Sequence, residues 1–265
     1  MKYLHSAAAS LAAQAMQLQE MPMSAQPTAS TQRIIVLTGA SRGIGAAIAR
    51  RLACASDHLI LTGRDADKLQ AVASQVHAQG GSAEVFPCDL TRPEAIQSLA
   101  AEVLGRHSRC DVLINNAGQG LFSTPLHLLP LEDWERMMAL NLRAPYLLLS
   151  AFAPAMISAG GGHIINISSL AGKNPVPGAA AYAASKWGLN GLMYSAAEEL
   201  RLHRIRVSLI CPGSTHTEFG SGLSAHKSPL GALSPQDVAH VVAMLLTQSD
   251  ASFVSEVLIR PTLKS

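Results

Sequence analysis

The stretch that decides the fold is residues 34–45, which read IIVLTGASRGIG. An apolar run leads into a turn with three glycines, and an alanine-rich segment follows. Gly39 allows a tight exit from a strand, Gly43 lets the main chain approach a phosphate, and Gly45 lets the next helix pack closely on the strand. Because backbone N–H groups and the helix dipole then face an anion, the stretch predicts a cradle for the pyrophosphate of a dinucleotide.

The same residues must be weighed against two other kinds of site. Three residues separate the first two glycines, whereas the commonest dinucleotide fingerprint has one. A nucleoside-triphosphate loop would end in Gly-Lys-Ser/Thr, which this stretch lacks. Residues 39–43 do satisfy the Gly-x-Ser-x-Gly nucleophile elbow of hydrolases. That elbow needs several strands before it, and only a polar tail precedes this one, so we prefer the dinucleotide interpretation.

The composition indicates one α/β domain that acts on small molecules. The chain has 265 residues, of which 48% are hydrophobic and 14% charged, so it can bury a large core. We expect a flexible N-terminal extension over residues 1–30 and a single domain over 31–265. A net charge of +2 without a Lys/Arg cluster argues against nucleic acid.

Cysteine and histidine usage bears on compartment and metals. The four cysteines form no Cys-x-x-Cys pair, which indicates reduced thiols and a cytoplasmic location. The ten histidines form no His-Glu-x-x-His motif, so no metal site is predicted. No apolar stretch approaches the roughly 20 residues that span a bilayer, so no membrane association is expected.

Apolar segments alternate with helical segments along the rest of the chain. The predicted strands are 34–38, 58–62, 83–87, 111–115, 163–168, 206–211 and 255–259. After a first helix that follows the glycine turn, the predicted helices are 65–79, 92–106, 131–140, 145–159, 181–203 and 234–247. This alternation predicts an α/β doubly wound Rossmann-type domain, with a seven-stranded, mainly parallel sheet and helices on both faces.

Polar and glycine-containing motifs fall at the ends of five predicted strands. They are Thr38-Gly39, Asp89, Asn115 to Gly118, Ser168-Ser169 and Pro212-Gly213. Ligands in such sheets bind beyond the carboxyl ends of the strands. We therefore expect these motifs to share one site.

A catalytic group is predicted in the helix after the fifth strand. Tyr182 and Lys186 are four residues apart, hence one helical turn apart on one face, and Ser169 lies thirteen residues before the tyrosine. With Asn141 and the motifs above, this pattern resembles the short-chain dehydrogenase/reductase family over about residues 33 to 260. The resemblance implies hydride transfer between a nicotinamide and a carbonyl or alcohol carbon.

The resemblance also implies the role of each residue. Tyr182 would be the general acid/base, Ser169 would donate to the substrate oxygen, and Asn141 would hold a water that links Lys186 to solvent. Lys186 would lower the phenol pKa below its usual value of about 10. The residues predicted to bind the cofactor are Gly39, Ser41, Arg42, Gly43, Ile44, Gly45, Arg64, Asp89, Leu90, Asn116, Ala117, Gly118, Tyr182, Lys186, Pro212, Gly213, Thr215 and Thr217.

The tip of the second strand bears on which nicotinamide is used. An acidic residue there would hold a free ribose, whereas arginine suits a 2′-phosphate. The strand ends in Thr62-Gly63-Arg64, and Arg42 could close on the phosphate from the other side, so NADP(H) is favoured over NAD(H).

The substrate and the assembly are less well defined by the sequence. The segment 217–234 suggests a lid with glycine hinges, and His216 or Lys227 could meet an acidic substrate. Residues expected to contribute an apolar wall are Leu121, Phe122, Leu170, Val176 and Pro177. The resemblance implies a homodimer or homotetramer. A non-enzymatic dinucleotide sensor on the same fold is the competing function. Its signature would be the loss of one of the four predicted catalytic residues, and this sequence has all of them: Asn141, Ser169, Tyr182 and Lys186.

Overall fold

The computed structural model describes residues 32–219 and 230–263. The strands are β1 (Arg33–Thr38), β2 (Asp57–Gly63), β3 (Ser82–Pro87), β4 (Val112–Asn115), β5 (Gly162–Ile167), β6 (Ile205–Pro212) and β7 (Glu256–Ile259). They form one sheet in the order β3-β2-β1-β4-β5-β6-β7, and every neighbouring pair is parallel. The predicted seven-stranded Rossmann-type sheet is confirmed.

Helices cover both faces of this sheet. They are α1 (Gly43–Arg51), α2 (Ala66–Ala78), α3 (Pro93–His107), α4 (Leu131–Met138), α5 (Ala144–Ser158), α6 (Ala180–Arg201) and α7 (Pro235–Leu245). Alternate residues of β1 point to opposite faces: Val36 packs with the buried residues of α3, α5 and α6, and Leu37 with those of α1, α2 and α7. The strands are therefore apolar on both faces, as parallel strands between two helical layers must be.

The sequence predicts two separate helices on either side of Asn141, and the structure corrects this. A π-helical turn, Ala139–Arg143, joins α4 to α5, so the helix runs without a break from residue 131 to 158. One extra residue in the turn carries the chain through without a loop. Such turns occur often at functional sites.

The sequence predicts no segment long enough to span a membrane, but this continuous helix meets that criterion. Leu131–Ser158 is long and apolar enough, by length and composition, to cross a bilayer. A core helix passes the same test, and Leu148, Phe152 and Met156 are buried against the sheet. The expected N-terminal extension (1–30), Lys227 and most of the expected lid lie outside the described residues.

Candidate active site

A cavity of about 550 Å³ opens at the carboxyl ends of the strands. It is lined by the turn between β1 and α1 and by the segments that follow β2, β3, β4, β5 and β6. Every residue predicted to bind the cofactor lines this cavity, and Ser169 does as well. His216 and the buried Asn141 are not among the lining residues. The strand-end rule therefore brings the separate motifs of the sequence together.

The glycine turn leaves no room for side chains at two positions. Gly39 has φ +64°, and a Cβ on it would lie 2.8 Å from the Cα of Ala117. A Cβ on Gly45 would lie 2.1 Å from the carbonyl oxygen of Gly39. The main chain can pack this closely only because both residues are glycine, which opens the cradle to an incoming phosphate.

Thr38 and Asn116 hold this turn against the end of β4. The Asn116 side-chain amide donates to the carbonyl oxygens of Thr38 (2.9 Å) and Gly39 (3.1 Å). The Thr38 hydroxyl accepts from the backbone N–H groups of Asn116 (2.9 Å) and Ala117 (3.0 Å). Both hydrogen bonds from the Asn116 side-chain nitrogen go to the main chain of the turn, so Asn116 fixes the position of the cradle.

Tyr182 and Ser169, both predicted to be catalytic, lie next to each other in the cavity. Tyr182 is buried in the first turn of α6, and the Ser169 side chain is close enough to lower the pKa of its phenol. The neighbouring Ser168 hydroxyl instead donates to Asn190 Oδ1 at 2.6 Å. Because that bond engages Ser168 away from the phenol, the geometry favours Ser169, as the spacing predicts.

Lys186 lies one helical turn beyond the tyrosine and is buried. Its ammonium donates to the carbonyl oxygen of Ile167, at the end of β5, at 2.9 Å. A Cβ on Gly118 would lie 3.8 Å from Nζ, so the end of β4 comes close to the lysine. Lys186 is thereby fixed between two strand ends with donor capacity left over.

Burial governs the acid–base properties of both groups. Desolvation raises the pKa of Tyr182 to about 12, although the nearby Ser169 side chain acts in the opposite direction. Desolvation lowers the pKa of Lys186 to about 8. The sequence led us to expect that Lys186 lowers the phenol pKa. Desolvation is the largest influence on this pKa, and Lys186 is not among the protein groups that lower it, so the expectation is corrected.

Asn141 sits in the π-helical turn and braces the loop after β4. Its Oδ1 accepts from the backbone N–H of Gln119 (2.9 Å), and its Nδ2 donates to the Gln119 carbonyl (2.8 Å) and to Ser185 Oγ (3.0 Å). Both amide hydrogens are thus used within the protein. The predicted water-holding role stays a prediction, and the side chain connects the β4 end to α6.

An aromatic cluster surrounds the tyrosine, and the sequence analysis identified only part of it. The ring centroids of Phe122 and Phe219 lie 5.2 and 5.8 Å from that of Tyr182. Phe122 was expected in the apolar wall, together with Leu121, Leu170, Val176 and Pro177. Of these, Phe122, Leu170 and Val176 line the cavity. Phe219 lies in a polar, glycine-rich stretch whose composition gave no signal for it.

Two arginines, one in the turn after β1 and one after β2, contribute to the cavity. Arg42 and Arg64 both line it. Asp65 caps α2 by accepting from the backbone N–H of Lys68 at 3.1 Å, so its carboxylate is engaged in the helix. Burial would raise the pKa of Asp89, but hydrogen bonds from Thr91 and the charges of Arg64 and Arg92 lower it overall.

Arg42 has a partner that the sequence did not reveal. Its Nη1 lies 2.7 Å from Glu218 Oε2, and both side chains are exposed. Glu218 follows β6, 176 residues along the chain. A 2′-phosphate that reaches Arg42 must therefore compete with a carboxylate, although an exposed pair of this kind contributes only about 0–1 kcal/mol.

A doubly wound parallel sheet with a glycine cradle, and with Ser169 beside the buried Tyr182 and Lys186 at its carboxyl edge, is the arrangement of a Rossmann-type dinucleotide-binding protein. The comparisons with known proteins give the family. A family model described as short chain dehydrogenase matches residues 33–228. The chain belongs to the short-chain dehydrogenase/reductase family.

Three similar proteins illustrate the family's range. The crystal structure of a metagenomic short-chain oxidoreductase in complex with NADP is 57% identical and has a TM-score of 0.79, and the match covers 89% of this chain and 100% of that one. The alcohol dehydrogenase of the archaeon Thermococcus sibiricus, complexed with 5-hydroxy-NADP, is 29% identical with a TM-score of 0.82, and the match covers 88% and 99%. The 3-oxoacyl-[acyl-carrier-protein] reductase of Synechocystis sp. is 33% identical over 234 residues, which are 86% of this chain and 94% of the relative.

Proposed function

We propose that this protein transfers a hydride between NADP(H) and the carbonyl or alcohol carbon of a small molecule, with Tyr182 as general acid/base. One observation carries the proposal: Tyr182 and Ser169 both line the cavity that the glycine cradle bounds, and Ser169 is close enough to the phenol to lower its pKa. When bound, the cofactor supplies or accepts the hydride. The residues Gly39, Gly43 and Gly45 would hold its pyrophosphate.

Tyr182 would move the proton in this reaction. In the direction of reduction its hydroxyl donates to the oxygen that gains negative charge, and a neutral phenol is the form required. Burial favours that neutral form, because it raises the pKa of Tyr182 to about 12. Ser169 would donate a second hydrogen bond to the same oxygen and hold it near the phenol.

Lys186 would orient the cofactor and restore the proton. Its ammonium is anchored on Ile167, and the remaining N–H groups are free to donate to hydroxyl groups brought into the cavity. Burial lowers its pKa to about 8, so it can exchange a proton near neutral pH. These properties suit a relay group behind the phenol.

The substrate wall is aromatic. The rings of Phe122 and Phe219 flank Tyr182, so a substrate that reaches the phenol must pass apolar surfaces. This supports a small ketone, aldehyde or acyl thioester with an apolar group beside the carbonyl. The test is a panel of such compounds with NADPH and with NADH, followed by the loss of cofactor absorbance. Binding of NADPH without turnover of any compound would favour the dinucleotide sensor instead.

The preference for NADP(H) rests on Arg42 and Arg64. We expect that Arg42→Ala with Arg64→Ala raises the KM for NADPH about 10- to 100-fold, since hydrogen bonds to a charged phosphate contribute about 1.5–3 kcal/mol. The KM for NADH should stay within about twofold. Arg51→Ala, an exposed arginine on α1, serves as the matched control. Equal losses with both cofactors would contradict the assignment.

The proposal extends to assembly and location. Large apolar side chains are exposed on α5 and α6, among them Tyr146 (51%) and Trp187 (53%). A homodimer or homotetramer would bury these side chains between subunits, and their exposure in the single chain supports such an assembly. Sedimentation velocity would distinguish it from a monomer. The four cysteines are all free, which supports a reducing, cytoplasmic location.

A further inference from the structure

A second cluster of ligating side chains lies at the opposite edge of the sheet. His58 is the second residue of β2, Glu84 the third residue of β3, and His107 the last residue of α3. The strands are parallel, so this is the amino-terminal half of the sheet, whereas the cavity of the active site lies beyond the carboxyl ends. The mechanism proposed above uses none of these residues.

The three side chains converge on one point. His58 Nε2 lies 3.1 Å from Glu84 Oε1, and His107 Nε2 lies 3.5 Å from the same oxygen. All three ligand atoms are within 4.8 Å of one another. Two ligands on one tetrahedral zinc ion, each about 2.0–2.1 Å from the metal, are about 3.4 Å apart. The distances from Glu84 Oε1 to the two Nε2 atoms are already close to that length. Rotation of the histidine side chains can bring the two Nε2 atoms, which are within 4.8 Å of each other, to the same distance.

Two of the three ligands have outer partners that orient them toward the cluster. The other ring nitrogen of His58, Nδ1, is 2.7 Å from the hydroxyl of Ser82, which leaves Nε2 directed at the cluster. The second oxygen of Glu84 accepts from Arg106 at 3.2 Å. Outer partners of this kind fix the ring orientation and the basicity of ligands in metal sites.

The strongest indication that the cluster binds a cation comes from His107. Its Nε2 is buried and has no hydrogen-bond partner among the described residues, although Glu84 Oε1 is 3.5 Å away. A buried nitrogen without a partner carries an uncompensated desolvation cost. Coordination of a cation would remove that cost.

The charges around the cluster are compatible with a divalent cation. Glu84 is negative, and His107 ends α3, where the helix dipole presents its negative end. The charge of Arg106 opposes a cation, but Glu84 lies between them and Glu102 also pairs with that arginine.

We propose that His58, Glu84 and His107 bind a divalent transition-metal ion, with zinc as the best fit, and that this ion ties the end of α3 to β2 and β3. Two imidazoles and one carboxylate form a donor set that zinc accepts, with water at the fourth position. The sequence analysis found no metal motif because the three ligands come from three distant segments. The fold alone brings them together.

Calorimetric titration of Zn²⁺ into the chelator-treated, full-length protein tests the proposal. We expect one saturable site and a rise in the melting temperature that follows its occupancy. Co²⁺ in the same experiment should give the absorption of nitrogen and oxygen ligands without thiolate bands, which distinguishes this cluster from the exposed Cys54.

Variants locate the site. His107→Gln removes a ligand that makes no hydrogen bond through Nε2, so the fold should persist while Zn²⁺ affinity falls at least about tenfold. Ser82→Ala keeps all three ligands and should also weaken binding about 10- to 100-fold, as loss of an outer partner does. His240→Gln, on an exposed face of α7, is the control and should bind as the unaltered chain does.

Two results would overturn the inference. One is the absence of saturable Zn²⁺ binding to the folded protein. The other is Zn²⁺ binding that His107→Gln and Glu84→Gln both leave unchanged, because the ion would then bind elsewhere on the surface. Circular dichroism of each variant establishes that it is folded, so a lost site can be separated from a lost structure.

Discussion

Tyr182→Phe will lower the turnover of a carbonyl substrate by about 10²- to 10⁴-fold, the contribution typical of a positioned general acid. The ring stays in the aromatic cluster with Phe122 and Phe219, and only the hydroxyl is lost. Because the glycine cradle is untouched, the dissociation constant for NADPH should remain within about twofold of that of the unaltered chain. Steady-state kinetics and a fluorescence titration of NADPH measure the two effects.

A matched exchange elsewhere in the chain separates chemistry from general damage. Tyr146→Phe removes a hydroxyl from an exposed tyrosine on α5, which is not among the residues that line the active-site cavity. It should retain the turnover of the unaltered protein. If Tyr182→Phe also keeps turnover within about fivefold, the phenol is not the acid, and the proposed function is wrong in its central residue.

Gly45→Ala will abolish cofactor binding and lower the free energy of unfolding by at least about 3 kcal/mol. The added methyl group would lie 2.1 Å from the Gly39 carbonyl oxygen and 2.7 Å from the side-chain nitrogen of Asn116. Overpacking in a core typically costs about 1–3 kcal/mol, and here the closest atom belongs to the main chain. The turn must move away from the helix to relieve the contact, and its backbone N–H groups would then no longer point at the pyrophosphate.

The control for this change is another helical glycine. A Cβ on Gly191, in α6, would meet nothing within 4 Å. Gly191→Ala should therefore stabilise the protein by about 0.4–1 kcal/mol and leave NADPH binding unchanged. Urea unfolding and NADPH titration of both variants give the comparison. An unaltered affinity for NADPH in Gly45→Ala would show that the cradle does not hold the cofactor.

Much of the fold could be predicted because local and global signals agree. The apolar runs of the strands and the glycine turn after β1 each indicate a parallel sheet, and the carboxyl-end rule then gathers the predicted residues around one cavity. The predicted strands differ from the observed ones by only a residue or two at their ends. The position of Lys186 one helical turn from Tyr182 could also be predicted, since a spacing of four places the two residues on one helical face. Their catalytic role stays a prediction.

What could not be predicted depends on tertiary contacts. Nothing near Glu218 shows that it pairs with Arg42, because the partners are brought together only by the sheet. The π-helical turn around Asn141 replaces a predicted break, since a single extra residue leaves no mark on the apolar pattern. The raised pKa of Tyr182 likewise reflects burial, which the spacing from Lys186 does not reveal.

The buried ammonium of Lys186 makes function and folding stability oppose each other. Burial lowers its pKa from 10.5 to about 8. At neutral pH the charged form is therefore disfavoured in the folded protein by roughly 3 kcal/mol relative to the unfolded chain. Between about pH 8 and 10.5 the unfolded chain binds more protons than the folded protein. The destabilisation that Lys186 causes therefore decreases as the pH rises through that window.

Lys186→Met should thus give an inactive enzyme that is harder to unfold at pH 7. The Ile167 carbonyl would lose its donor at a cost of about 1–3 kcal/mol, which does not exceed the gain of roughly 3 kcal/mol. Urea midpoints at pH 7 and 9.5 would show the advantage of the variant shrinking at the higher pH. A variant less stable than the parent at pH 7 would contradict this. If the variant behaves as expected, the lysine persists because catalysis requires it, and a selection for thermal robustness alone would remove it.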